Sequence, residues 1–152
     1  MTIRDDLCKE WLRLAAARHR REAIILCNGC MDPAHYGHVL HLREAAKYGR
    51  VMVAVTSDKQ LRKERGRAPF FTAKQRIDML MELRCVAYAF ETNSSLSALK
   101  KVRPHYFVKG VDYKGKIDPR DAAFCKEHGI RIIITRTKKW GSRELMRKLG
   151  AR

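Results

Sequence analysis

His35 and His38 stand three residues apart, bracketing Tyr36 and Gly37 where a turn gives way to a helical pattern. Imidazoles donate hydrogen bonds to phosphate oxygens. A helix N-terminus adds free N–H groups and the positive end of its dipole. Gly37 removes a side chain where a ligand must come close. A lone histidine here would read as a surface or capping residue. The pair, behind a buried strand and opening a helix, reads as phosphate chemistry. Asn28, Gly29 and Asp32 precede it in the same loop.

The elements that must hold this loop follow from the apolar pattern. Residues 23–27, 51–55, 86–90, 106–109 and 131–135 are short runs, apolar nearly throughout, as strands buried on both faces should be. Helical spacing separates them. Val39, Leu42 and Ala46 define a helix from Tyr36 to about Tyr48. Thr72 caps a helix to about Leu83, and Asn93 or Ser94 caps one ending near Val102. Pro119 opens a helix over 118–128, and a last helix runs over 142–149. Residues 59–69 read as a basic loop with turn residues Gly66 and Pro69. Residues 1–21 read as a leading amphipathic helix, with Ile3, Leu7, Trp11, Leu14 and Ala15 on one face. Strands alternating with helices predict a five-stranded parallel sheet covered on both faces, in a single α/β domain spanning 1–152. Ligands in such sheets bind beyond the carboxyl ends of the strands, where strand order reverses. The loops after Cys27, Val55, Phe90, Lys109 and Thr135 are therefore the ones that matter.

Charge is the strongest compositional signal. Thirty-three Lys and Arg against 16 Asp and Glu give a formal net charge of +17. Such a chain attracts nucleic acid, anionic surfaces or phosphorylated small molecules. Nucleic-acid binding is the rival class, but no aromatic stacking ladder or known binding motif supports it. An apolar content of 45% excludes a disordered chain. No apolar run exceeds about five residues, against roughly 20 for a membrane helix. The start of the chain has no apolar stretch of the signal-peptide kind, so a cytoplasmic location is expected. The five cysteines are odd in number. Cys27 and Cys30 form a CxxC without a second pair or a nearby HxxxH, so packing is favoured over zinc or redox chemistry and no metal ligands are assigned.

The run from Asn28 to Leu42, with Asp32 and His35-Tyr36-Gly37-His38, resembles the signature of the HxGH nucleotidyltransferases, the cytidylyltransferase-like family. Val53 to Asp58, a basic loop ending in Pro69, Gln75-Arg76, and Pro104 to Tyr113 extend the likeness over nearly the whole chain. These stretches are most similar to the adenylyltransferase domains of bifunctional ADP-heptose synthesis enzymes, with no sugar-kinase half expected here. Glycerol-3-phosphate cytidylyltransferases are more distant.

The resemblance implies a Rossmann-like three-layer sandwich and transfer of a nucleoside monophosphate from an NTP to a small phosphorylated acceptor. It assigns His35, His38 and Arg76 to catalysis. It assigns Asn28, Gly29, Asp32, Gly37, Lys63 or Arg65, Lys109, Gly110 and Asp112 to nucleotide binding, with Ser142 and Arg143 at the turn opening the last helix. It also implies Mg2+ and a homodimer. ATP with heptose 1-phosphate is the first expectation, and CTP with glycerol 3-phosphate or another polyol or sugar phosphate the alternative. Met31 stands where the family has an aromatic. Trp140-Gly141-Ser142-Arg143 replaces a Ser/Thr-rich turn. Neither GxxxxGK[ST] nor GxGxxG occurs, so a P-loop or a dinucleotide site is not expected.

Overall fold

A computed structural model describes residues 22–138 and 141–150. The expected leading helix over 1–21 and Trp140 lie outside these residues. Five strands form one parallel sheet: β1 (Ile24–Gly29), β2 (Arg50–Thr56), β3 (Val86–Thr92), β4 (Tyr106–Lys109) and β5 (Arg131–Ile134). Their order is β3-β2-β1-β4-β5. The chain steps outward from β1 to β3, then crosses back to β4 on the other side of β1, so strand order reverses between β1 and β4. The helices are α1 (Tyr36–Ala45), α2 (Asp58–Arg65), α3 (Ala73–Met81), α4 (Ser95–Val102), α5 (Pro119–Glu127) and α6 (Ser142–Lys148).

Alternate residues of each strand feed two cores. On one face Ile25, Cys27, Val51, Val53, Val55 and Val108 pack with Leu42 and Ala45 of α1 and Ile77 and Leu80 of α3. On the other, Leu26, Met52, Ala54 and Phe107 pack with Ala98, Leu99 and Val102 of α4 and Cys125 of α5. The result is the expected three-layer, Rossmann-like architecture. The two-sided core explains why central strands are apolar at every position rather than alternating.

Two expectations change. β1 reaches Gly29, so Asn28 and Gly29 pair with Ala54 and Val55 as strand residues. The stretch read as a basic loop over 59–69 begins as α2. Ser57 caps that helix by accepting a hydrogen bond from Gln60 N–H, Leu61 anchors it fully buried, and Gly66 ends it in the left-handed region at φ 66°. Leu61 is the helix's one buried residue, so the helical period could not register as an apolar stripe. Thr72 caps α3 as expected, in a reciprocal capping box with Gln75. Ser94, not Asn93, caps α4.

Candidate active site at the strand-order reversal

One open cavity of about 1090 Å³ lies at the carboxyl end of the sheet. It exceeds the roughly 300–1,000 Å³ of ordinary ligand sites, which leaves room for a nucleotide and a second substrate together. Its lining comes from the end of β1 and the following loop, the start of α1, the end of α2, the turn after β4, and the segment from Thr135 into α6. That is the position which parallel-sheet geometry dictates.

The histidine pair stands where the loop after β1 enters α1. His35 is the N-cap of α1, in extended backbone conformation. Its N–H donates to His38 Nδ1 at 3.2 Å. Nδ1 of His38 is thus an acceptor, so the neutral ring carries its proton on Nε2 and can donate from there. The two rings stack with centroids 3.9 Å apart. Burial, reinforced by His35, His41 and Arg65, pushes His38 down to about 3. Burial also lowers His35 and His41. In the ligand-free site the cluster is therefore neutral near pH 7 and offers shaped hydrogen-bond donors. Positive charge on the lining comes from Arg65, Arg67 and Lys138.

Asp32 lines the cavity yet its carboxylate is fully committed. Oδ1 accepts the N–H groups of Phe70 (2.9 Å) and Phe71 (3.2 Å), and Oδ2 faces Arg67 at 3.4 Å. Arg65 donates to the Asp32 carbonyl at 3.2 Å. Asp32 thus shapes the site by tying the loop after β1 to the segment between α2 and α3. Asn28, Gly29, Gly37, Gly110 and Asp112 also line the cavity.

Three expected residues stand elsewhere. Lys63 is exposed and outside the lining. Leu61 faces inward and Arg65, four residues on, shares its side of α2, whereas Lys63 at two residues on does not. Arg76 is completely buried. Its guanidinium donates to the carbonyls of Cys30 (2.5 Å), Thr56 (2.9 Å) and Phe71 (3.0 Å) and pairs with Asp58 at 2.6 Å. That arginine staples the loops after β1 and β2 to the start of α3, and it is not among the residues that line the cavity. Lys109 sits just behind the lining. It donates to Asn28 Oδ1 at 2.6 Å and lies 3.9 Å from the centre of the Tyr113 ring. Burial lowers its pKa. Ser142 opens α6, and Gly141 before it lines the cavity; the side chains of Ser142 and Arg143 are not among those described.

His41, Thr135, Thr137 and Lys138 join the lining without having been assigned to it from sequence. The His41–Thr135 and Glu44–Thr137 hydrogen bonds each join positions more than 90 residues apart, which no local pattern encodes. Cys27 and Cys30 are free thiols, and burial pushes Cys27 up to about 12, which suits packing. Among the described residues no group of three or more His, Cys, Asp or Glu could hold a metal ion. No helix among them is long and apolar enough to cross a membrane.

The sequence matches the cytidylyltransferase-like family over residues 26–148. The chain belongs to that family and to the nucleotidyltransferase class of enzymes. Among curated proteins it is similar to the bifunctional protein HldE of Proteus mirabilis, 40% identical over 118 residues, covering 75% of this chain and 24% of that one. The bifunctional protein HldE of Shigella flexneri is 37% identical over 130 residues, covering 81% and 26%. The chain thus spans about a quarter of the length of these relatives. Among solved structures, the lipopolysaccharide core biosynthesis protein of Thermoplasma volcanium aligns with a TM-score of 0.64 at 26% identity, covering 79% of this chain and 99% of that one. The pantothenate synthetase of Thermus thermophilus shares the fold, with a TM-score of 0.54 at 13% identity, covering 82% of this chain and 59% of that one.

Proposed function

We propose that this protein transfers a nucleoside monophosphate from an NTP, ATP first, to a sugar phosphate such as heptose 1-phosphate, releasing pyrophosphate. A phosphate oxygen of the acceptor attacks the α-phosphorus. The new P–O bond forms as the bond to the bridging oxygen of the β-phosphate breaks, and that oxygen keeps the electron pair. Such transfers ask little covalent work of the protein, so positioning and charge stabilisation dominate. The carrying observation is the His35–His38 pair. Two stacked neutral imidazoles stand at the mouth of a helix N-terminus inside a cavity large enough for both substrates. In this reading Nε2–H of His38 and the His35 ring donate to the triphosphate, and Arg65 adds charge where negative charge grows.

Magnesium fits this donor set only as a companion of the triphosphate, because the described residues offer no three-ligand cluster. When bound, it neutralises phosphate charge. The reading of the acceptor as a sugar phosphate is supported by the HldE relatives and by the lipopolysaccharide core biosynthesis neighbour. A homodimer is part of the same proposal and is checked by light scattering. CTP with a polyol or sugar phosphate is the second reading, favoured by the cytidylyltransferase-like match itself. Thermal shift with Mg-ATP and Mg-CTP separates the two. Stabilisation by ATP supports the first, and stabilisation by CTP alone replaces it.

A further inference from the structure

We infer that Glu44 is a positioning residue that sets the wall of the cavity facing the phosphate-binding turn. The inference rests on the nucleotidyl-transfer reading of that cavity. Glu44 lies on α1, two turns beyond His38. Its carboxylate accepts Arg136 N–H at 2.9 Å, Thr137 N–H at 3.0 Å and the Thr137 hydroxyl at 2.5 Å. One turn nearer the histidine pair, His41 Nδ1 meets Thr135 Oγ1 at 2.9 Å. Thr135 in turn bonds the Lys109 carbonyl through its own N–H (2.9 Å) and hydroxyl (3.3 Å). The hydroxyl donates to that carbonyl, so His41 donates to the hydroxyl and its neutral ring is fixed as the Nδ1–H tautomer.

The segment leaving β5 is therefore held at two points by α1 and at one by β4. It supplies Thr135, Thr137 and Lys138 to the lining and leads into Gly141. No strand pairing extends past Ile134 to hold residues 136–138, since the β4–β5 ladder ends at Lys109 and Ile134. A single carboxylate takes that role. Burial alone would raise the Glu44 carboxyl, but the Thr137 hydroxyl and the two backbone N–H groups outweigh it and hold it below the usual carboxylate range. Charged acceptors make the strong hydrogen bonds. Because the same helix presents His35 and His38, the clamp fixes the distance between the phosphate donors and the wall that carries Lys138. A wall so fixed acts on substrate binding more than on the chemical step.

Glu44→Ala and Glu44→Gln, compared with the unaltered chain, test this in two ways. The amides of Arg136 and Thr137 should exchange with solvent at least ~10-fold faster in Glu44→Ala, with an intermediate value in Glu44→Gln, which keeps a neutral acceptor. KM for the NTP should rise about 10-fold in Glu44→Ala while kcat changes less than ~3-fold, again with Glu44→Gln between. Unchanged exchange, or a loss confined to kcat, overturns the inference. Should the unaltered chain release no pyrophosphate from any NTP, the nucleotidyl-transfer reading fails, and amide exchange still decides whether Glu44 holds the wall.

Discussion

His38 bears the two most specific consequences of the site. Losing its Nε2–H donor removes an interaction that strengthens as charge develops, so His38→Ala should lower kcat by at least ~10²-fold, and His35→Ala likewise. Folding should survive, because both residues sit at the start of α1 rather than in either core. Circular dichroism beside the kinetics distinguishes the two effects, and near-normal kcat in both variants would misplace the site. The second consequence is in pH. Burial holds folded His38 at about 3, below the ordinary 6.5. The unfolded chain therefore takes up the proton first as pH falls. This contribution to stability is complete above about pH 6.5 and is lost as pH falls towards 3. Lowered His35 and His41 act in the same direction. Glutamine at this third helical position can accept the His35 N–H in place of Nδ1. The melting temperature of His38→Gln should accordingly fall less steeply between pH 6.5 and 4, and a slope identical to that of the unaltered chain would contradict the assignment.

At the scale of elements, the loops around the cavity depend on Arg76. Truncation to alanine would take the donor from three carbonyls, two of which stand where the loops after β1 and β2 begin, and would leave Asp58 to the Ala73 N–H and solvent. Leaving buried acceptors without their donor costs ~1–3 kcal/mol each. Arg76→Ala should lower the melting temperature sharply, and activity should fall with it. Intact stability with a selective loss of kcat would instead return Arg76 to the substrate. The sequence disclosed that an arginine follows the basic stretch, but residue type says nothing of whether a guanidinium meets a ligand or its own backbone. The same limit explains the other differences. Strands in two-sided cores are apolar throughout and therefore legible. The helix Asp58–Arg65 hides its period behind a single buried leucine, although Ser57 and Gly66 mark its ends. The histidine pair was legible because its spacing is local. The Glu44–Thr137 and His41–Thr135 contacts join positions 93 and 94 apart and become visible only in three dimensions.

The whole molecule combines a neutral donor cluster in the cavity with a net charge of +17. So large a charge attracts polyanions non-specifically, and that attraction weakens steeply with salt. Duplex DNA should be retained in low salt and released by roughly 200 mM, without altering turnover measured at that salt. Retention well above it would favour the nucleic-acid class. The cavity makes the opposite claim, that the working anions are small, and pyrophosphate release tests it most directly. ATP and CTP should each be assayed with magnesium against a panel of sugar and polyol phosphates, with His38→Ala as the paired control. Release should require both an NTP and a phosphorylated acceptor, be fastest with ATP and a sugar 1-phosphate, and fall at least ~10²-fold in the variant. No release across the panel, together with no binding of either NTP, would contradict that claim.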